Sequence, residues 1–348
     1  FAVVESHGQP NVAVGGTVTM GNVEDTADAL PLLAWIPALT PDRLGDPSFQ
    51  ETYGVRVNYV TGAMANGIAS EAVVIAMAKA GMMGIFGAAG LSLPRIEQAI
   101  QRIQREVGDL AYGFNLIHSP SEPHHEQQTV DMYLRYKVRV VSAAAFLRLT
   151  PSVVQYRVTG LFRAADGTVK APNKLIAKVS REEVAEQFLR PPPESMLQKL
   201  VENGRITQAE ATLARDIPMA DDLTAEADSG GHTDNQSAPV LLPLLNTLRD
   251  RIRDEVGYSH HVRIGAAGGI STPTSVASSF ALGAAYVVTG TVNQACAEAG
   301  TSPMVKQMLA DAHVYDVGMA PASDMFEAGI EVQVLKRGTL FAMRGTKL

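Results

Sequence analysis

The sequence predicts an α/β fold, a (β/α)8 TIM barrel with a helical insertion and a C-terminal cap. From Tyr53 onward, β-rich apolar runs alternate with helical windows, which is typical of a parallel sheet closed by crossover helices. Three glycine clusters, at 230–231, 265–269 and 290, each follow a short apolar run. Glycines at strand ends let a phosphate approach bare backbone amides. A phosphate-binding site at the ends of the last two strands is typical of barrel enzymes.

The chain offers nine candidate strands for the eight positions of such a barrel. The surplus lies between Val154 and Val179, where Ala164-Ala-Asp-Gly167 predicts a hairpin turn and an antiparallel strand outside the barrel. The candidate strands are 55–60, 82–86, 112–117, 138–142, 154–161, 174–179, 222–226, 262–266 and 285–288.

Apolar residues recur at helical spacing between these strands. Ser271-Thr-Pro273 is a helix start signal, and the prolines at 191–193 open a segment that predicts two short inserted helices, 195–203 and 209–215. The helices predicted around the barrel are 71–80, 94–106, 126–136, 181–189, 239–256 and 273–282. We expect a 1–50 N-terminal extension, a barrel over 51–189 and 217–299 with an insertion at 190–216, and a 300–348 cap.

Composition argues for a large buried core, since 46% of the residues are apolar and only 19% are charged, against roughly 25% in typical domains. The net charge of -7 and the lack of a Lys/Arg run argue against a nucleic-acid partner. The stretch 72–91 has the apolar character of a membrane span, but glycines at 81, 84, 87 and 90 interrupt it. We predict a buried helix and a buried strand there, and no membrane partner.

Cysteine and histidine usage limits the remaining chemistry. The single cysteine, Cys296, excludes an internal disulfide and favours a reducing compartment, and no secretory signal is visible, so we expect a cytoplasmic protein. The absence of a His-x-x-x-His motif and the scattered carboxylates do not support a metal site. The adjacent pairs His124-His125 and His260-His261 are predicted to lie in solvated loops.

Three polar residues stand out at predicted strand ends. His232 follows Gly230-Gly231, and it is either a solvent-facing loop residue or an acid or base, since imidazole exchanges protons near pH 7. Asn115 lies in an apolar strand, where an unsatisfied amide costs about 1 to 3 kcal/mol, so a ligand or a neighbouring backbone group must satisfy it. Lys178 is predicted to face an anion or a ring carbonyl.

Taken together, these residues resemble the FMN-dependent barrel family of nitronate monooxygenases and flavin-containing enoyl-acyl-carrier-protein reductases. The matching segments are Gly62-Ala-Met-Ala65, Tyr112-Gly-Phe-Asn115, Gly230-Gly-His232, Ala267-Gly-Gly269 and Gly290-Thr291. More narrowly, the chain resembles the trans-acting enoyl reductases (PfaD type) of polyunsaturated fatty-acid and polyketide synthases, through 63–69, 87–91, 115–120, 219–222 and 334–340. The broad family usually has Glu-Ala-Gly-Gly-His, and here Asp228 and Ser229 are inserted.

The resemblance implies a role for each matching residue. His232 is the implied catalytic histidine. Asn115 and Lys178 are implied at the polar edge of the flavin ring, and Ala63, Met64 and Ala65 along its face. The implied holders of the FMN phosphate end are Gly230, Gly231, Ala267, Gly268, Gly269, Gly290 and Thr291.

The same resemblance implies an enzyme that uses NADPH and FMN to reduce a 2-enoyl thioester on an acyl carrier protein. A nitronate monooxygenase of the same fold is the alternative, and a flavin-free docking barrel is a second one. Carrier proteins are typically acidic, so docking requires a basic patch. The candidates are Arg135, Lys137, Arg139, Lys336 and Arg337. The sequence leaves a homodimer open.

Overall fold

The computed structural model describes residues 1–19, 29–118, 122–322, 329–345 and 347. The chain divides into two compact units, Phe1–Leu44 and Gly45–Leu348. In the first unit, strand β1 (Ala2–Ser6) pairs antiparallel with β2 (Gln9–Ala13) on one side and β3 (Leu32–Trp35) on the other. The boundary at Leu44 comes before the end of the predicted 1–50 extension.

The second unit contains the closed parallel barrel that the sequence predicts. Its strands are β4 (Tyr59–Thr61), β5 (Met83–Phe86), β6 (Tyr112–Ile117), β7 (Val140–Ala144), β8 (Phe162–Arg163), β9 (Val169–Lys170), β10 (Lys174–Val179), β11 (Asp222–Glu226), β12 (Gly231–His232), β13 (Arg263–Ala267), β14 (Val287–Thr289), β15 (Val317–Pro321) and β16 (Glu331–Leu335). The barrel runs β4-β5-β6-β7-β10-β11-β13-β14, and β14 pairs in parallel with β4 to close it. The antiparallel pair β8–β9 is the predicted hairpin.

Helices cover the outside of the barrel and supply the predicted insertion. They are α1 (Pro47–Tyr53), α2 (Glu71–Lys79), α3 (Leu93–Val107), α4 (Pro123–Arg135), α5 (Pro151–Val158), α6 (Glu182–Leu189), α7 (Glu194–Glu202), α8 (Gln208–Ala214), α9 (Ala238–Val256), α10 (Pro273–Ala281), α11 (Thr291–Gln294), α12 (Pro303–Ala310) and α13 (Phe341–Gly345). Helices α7 and α8 are the two short helices of the predicted insertion. No described helix is long and apolar enough to cross a membrane.

The predicted strand at 154–161 is wrong, because helix α5 occupies most of this segment. Thr150 caps the helix, its hydroxyl accepting from the Val153 amide, and Pro151 stands in the first turn. Every residue from Ser152 to Val158 is buried. Its polar residues are buried in hydrogen bonds, since Gln155 accepts from Gln127 at 2.9 Å and Arg157 donates to Asp221 at 2.6 Å. Gln155 and Arg157 therefore alternate with Val154, Tyr156 and Val158, which gives the segment the sequence signature of a strand.

The amino-terminal end of the barrel is closed by α1. Phe49 of this helix stacks on Tyr286 at 4.4 Å between ring centroids, and the Tyr53 hydroxyl donates to Asp222 at 2.5 Å. Arg263 donates to the same Asp222 carboxylate through two nitrogens, at 2.5 and 2.9 Å. Burial and the neighbouring Asp222 raise the pKa of Tyr53, which therefore stays a neutral donor. These contacts fill the amino-terminal end, so we place ligand entry at the opposite end of the strands.

The C-terminal segment adds a small antiparallel sheet in the order β12-β16-β15. Strand β12 belongs to the loop that follows barrel strand β11, so the sheet ties this loop to the C-terminal cap. Gly231 pairs with Gln333 and His232 with Val332. The side-chain amide of Gln333 also donates to Asp228 Oδ1 at 2.9 Å. The cap therefore holds the backbone of Gly231 and His232 and the side chain of Asp228.

Candidate active site

We call the carboxyl-terminal ends of the barrel strands, with the loops that follow β4, β5, β11, β13 and β14, the barrel mouth. The three glycine clusters meet there. A Cβ atom on Gly268 would lie 2.6 Å from the Ala227 carbonyl oxygen, and one on Gly230 would lie 2.8 Å from Thr291 Oγ1. These distances are too short for any side chain, so the loops after β11, β13 and β14 are in direct contact. The sequence-predicted residues are thus brought together in space.

The backbone of these loops offers donors to an anion. Gly268 and Gly269 have φ angles of 94° and 68°, a conformation that residues with a side chain rarely adopt. Among the described residues, no hydrogen bond uses the amide hydrogens of Gly268, Gly269 or Gly290. Open amides on converging glycine loops suit a phosphate group. This donor set fits the phosphate end of FMN.

The predicted ring-contacting segment, Ala63 to Ala65, follows β4 at the mouth. It is held against the loop after β5, since a Cβ atom on Gly87 would lie 1.7 Å from the Met64 carbonyl oxygen. The Met64 carbonyl accepts from the Ala69 amide at 3.2 Å, and the Ala69 carbonyl accepts from Gly87 at 3.0 Å. The segment therefore has a fixed course. Ala63 and Met64 are half-buried, and Ala65 is exposed.

Asn115 lies on β6 and is buried. Its side-chain oxygen accepts from the backbone amides of Ala88 at 2.7 Å and Ala89 at 3.3 Å. The sequence left a ligand or a neighbouring backbone group as the partner of Asn115, and the structure shows the backbone group. Asn115 thereby anchors the loop after β5, and its amide nitrogen takes no part in these two bonds.

Lys178 reaches the mouth from β10 and forms an ion pair there. Its Nζ lies 2.6 Å from Glu226 Oε1, at the end of β11, and the two side chains are 21% and 20% exposed. Glu226 is in register with Ala267, whose carbonyl accepts from Ala227 at 2.9 Å. The sequence predicts position 226 only as the end of a strand, and Glu226 was not among the predicted site residues. Its position as the last residue of a barrel strand was the available signal.

His232 is half-buried in β12, directly after the glycine pair. It therefore lies in a strand paired with the cap, and not in a free loop. His260 and His261 precede β13 in a loop, as predicted. His260 Nε2 lies 3.4 Å from Asp221 Oδ1, and His261 Nε2 lies 3.0 Å from Asp46 Oδ2. The loop prediction for His124 and His125 is wrong: they lie in α4, which Pro123 opens.

His118 follows β6, and Glu126 holds it from α4. The His118 Nδ1 lies 3.0 Å from Glu126 Oε2, and the ring stacks on Phe146 at 5.3 Å between centroids. Glu126 also accepts from the Thr150 hydroxyl. These contacts join α4 to the segment between β7 and α5, which is a packing role.

The predicted basic patch does not form one surface. Arg135, Lys137 and Arg139 precede β7 and so lie at the amino-terminal ends of the barrel strands, whereas Lys336 and Arg337 follow β16 in the cap. Arg135 is also paired with Glu97 at 2.9 Å. The sequence alone does not show which end of the barrel each of these two groups of candidate residues occupies.

The profile of the family described as "Nitronate monooxygenase" matches residues 54–340. The chain belongs to the nitronate monooxygenase family. This match covers the barrel, the insertion and the cap strands, and it confirms the family resemblance and the barrel fold predicted from the sequence.

Within this family the chain is similar to synthase components. It is 51% identical over 307 residues to a polyunsaturated fatty acid synthase component of Thraustochytrium sp., and 48% identical over 311 residues to polyketide biosynthesis protein PksE of Bacillus subtilis. These alignments cover 88% and 89% of the chain. The chain spans only 20% and 40% of the lengths of these two relatives.

A solved structure is similar over most of its length. The enoyl reductase domain of MlnA, from the macrolactin biosynthesis cluster of Bacillus amyloliquefaciens, superposes with a TM-score of 0.85 at 41% identity. The match covers 88% of this chain and 69% of that one. This likeness confirms the predicted kinship with enoyl reductases of biosynthetic synthases.

Proposed function

We propose that the chain is an FMN-dependent enoyl reductase that acts in trans. It uses NADPH to reduce 2-enoyl thioesters carried on an acyl carrier protein during polyunsaturated fatty-acid or polyketide synthesis. The observation that carries the proposal is the contact between the three glycine loops, with open amides at Gly268, Gly269 and Gly290. The similarity to an enoyl reductase domain supports the choice of reaction.

The residues at the mouth divide into two groups according to the part of FMN that each one suits. The open amides and the close loop contacts suit the phosphate. The segment after β4, together with the inward-facing side chains of Asn115 and Lys178, suits the ring. The proposed phosphate group comprises Gly230, Gly231, Ala267, Gly268, Gly269, Gly290 and Thr291, and the proposed ring group comprises Ala63, Met64, Ala65, Asn115 and Lys178.

When bound, FMN supplies a carrier of hydride between NADPH and the β-carbon of the enoyl thioester. The chain must then deliver a proton to the α-carbon, where negative charge develops. His232 is the proposed donor, since an imidazole exchanges protons near neutral pH and its strand is fixed by the cap. The closed amino-terminal end of the barrel keeps bulk water from reaching the reaction from below.

Nitronate oxidation is the second candidate function, and the family match itself favours it. The two reactions differ in the substrate that consumes reducing equivalents. NADPH consumption with crotonyl thioester, and none with an alkyl nitronate, would support enoyl reduction. Turnover of the nitronate with oxygen and no turnover of the thioester would support the alternative.

The spectrum of the purified protein tests the cofactor directly. We expect a yellow protein with flavin absorbance that is lost when the bound cofactor is removed and is restored by adding FMN. A colourless protein that does not take up FMN would refute both flavin-dependent proposals and leave a docking barrel.

A further inference from the structure

The inner wall of the barrel mouth carries a pair of opposite charges, Lys178 and Glu226. Successive strand residues face alternately inward and outward, and Ile176 and Asp222 face the barrel interior, so Lys178 and Glu226 face it as well. Across the eight barrel strands, all of which lie in the described part of the chain, these two are the charged inward residues at the carboxyl ends. Nearby inward positions hold neutral Asn115, Ser142 and Ala267.

Exposure distinguishes this pair from the structural pair at the barrel bottom. Arg263 and Asp222 are 5% and 0% exposed and have partners on α1, so they close the core. Lys178 and Glu226 are 21% and 20% exposed, because the mouth is open above them. A short ion pair that is open to a ligand site can act on the ligand as well as on the fold.

We propose that Glu226 is a positioning residue that holds Lys178 at the mouth and, together with it, sets the electrostatic environment of the FMN ring. The inference rests on the proposed function. With both side chains present the pair is close to neutral. If either charge is removed, the other remains unbalanced beside the ring.

The sign of each effect follows from Coulomb's law. Reduction adds negative charge to the flavin, so a nearby ammonium group favours the reduced form and a nearby carboxylate disfavours it. Glu226→Gln leaves Lys178 unbalanced and raises the midpoint potential of bound FMN. Lys178→Met leaves Glu226 unbalanced and lowers it. The double variant returns close to the wild-type potential.

The experiment measures the midpoint potential of bound FMN by spectroelectrochemistry, together with the Kd of oxidised FMN, in the full chain. Each single variant should shift the ratio of the affinities for reduced and oxidised FMN at least about tenfold, which is about 30 mV for a two-electron couple. Glu226→Asp keeps the charge and should retain most of the wild-type potential. Glu97→Gln makes the same charge change on outer helix α3, at a residue paired with Arg135, and should produce no shift.

Shifts of opposite sign in the single variants, with recovery in the double variant, would support the proposal. Shifts of the same sign, or a Glu226→Gln potential equal to that of Glu97→Gln, would overturn it. Failure of the wild-type chain to bind FMN is a separate outcome, because it refutes the proposed function before any variant is compared.

Discussion

Single atoms decide the geometry of the barrel mouth. A Cβ atom on Gly268 would lie only 2.6 Å from the Ala227 carbonyl oxygen, and the φ angle of 94° at Gly268 also disfavours any side chain. Asn115 uses its carbonyl oxygen to fix Ala88 and Ala89, so a residue predicted to contact a ligand also supports the loop beside the site. At the residue scale, the glycines that the sequence shows after strands are the positions where two loops touch.

His232→Ala should keep FMN bound and slow enoyl reduction roughly 10²- to 10⁴-fold, the usual range for a lost general acid. FMN retention is expected because the amides of the glycine loops, and not the imidazole, are the proposed phosphate donors. Steady-state NADPH oxidation with crotonyl thioester measures the rate, and flavin absorbance measures retention.

The matched control is His261→Ala, since His261 is 53% exposed, lies before β13 and pairs with Asp46. It should turn over at the wild-type rate. Equal rates for His232→Ala and the control would remove His232 from the mechanism.

At the scale of elements, the pairing of β12 with β16 holds the loop that carries His232, the proposed proton donor. Asp228 and Ser229 lengthen the loop relative to the family motif, and a longer loop alone would leave His232 with more conformational freedom. The strand pairing and the bond from Gln333 to Asp228 counter this. The C-terminal cap thus contacts this loop through the backbone of β12 and through the Asp228 side chain.

Gln333→Ala removes that bond and should lower kcat about fivefold, because a hydrogen bond of this kind contributes about 1 kcal/mol. Gln333→Glu should lower kcat further, since two carboxylates would face each other at Asp228. The Kd of FMN should not change in either variant. Enoyl thioester turnover and flavin titration are the two measurements.

Gln307→Ala on α12 is the control. The Gln307 side chain donates to Asp311 within the same cap, and among the described residues it makes no hydrogen bond to the barrel mouth. A kcat for Gln333→Ala equal to that of the control would show that the cap bond does not position His232.

At the scale of the whole molecule, the barrel has two unlike ends. The amino-terminal end is closed by aromatic rings and the buried Asp222–Arg263 pair, and the carboxyl-terminal end carries the glycine loops and the cap. Under the proposed function, a carrier protein would bring its thioester to the open end. Of the basic residues predicted to form a docking patch, those in the cap remain suitable, and Lys336 is exposed.

Lys336→Glu should raise the KM for a carrier-bound enoyl substrate and leave the KM for a small thioester unchanged, because charges at an interface rim affect association with the partner and not the chemistry. Steady-state kinetics with both substrates measures the difference. Lys170→Glu, on the hairpin that precedes β10 at the closed end, makes the same charge change and should leave both constants unchanged. A response that is the same for both substrates would exclude docking at Lys336.

The sequence by itself determined the barrel, its helices, the family and the set of glycine-rich loops. These features depend on local signals: apolar runs of strand length, helical periodicity, proline starts and glycines that follow strands. Such signals are encoded in neighbouring residues, so no knowledge of distant contacts is needed. They failed at α5, where buried polar residues alternate with β-branched and aromatic ones and give a helix the pattern of a strand.

Tertiary structure alone decided which residues meet. The 2.6 Å pairing of Lys178 with Glu226 joins residues on adjacent strands that are separated by helices α6 to α8 in sequence. The pairing of His232 with the cap joins positions separated by two barrel strands and several helices. The two ends of the barrel likewise separate the two groups of basic residues that were candidates for one docking patch. Contacts of this kind depend on register and chain closure, which no local pattern encodes.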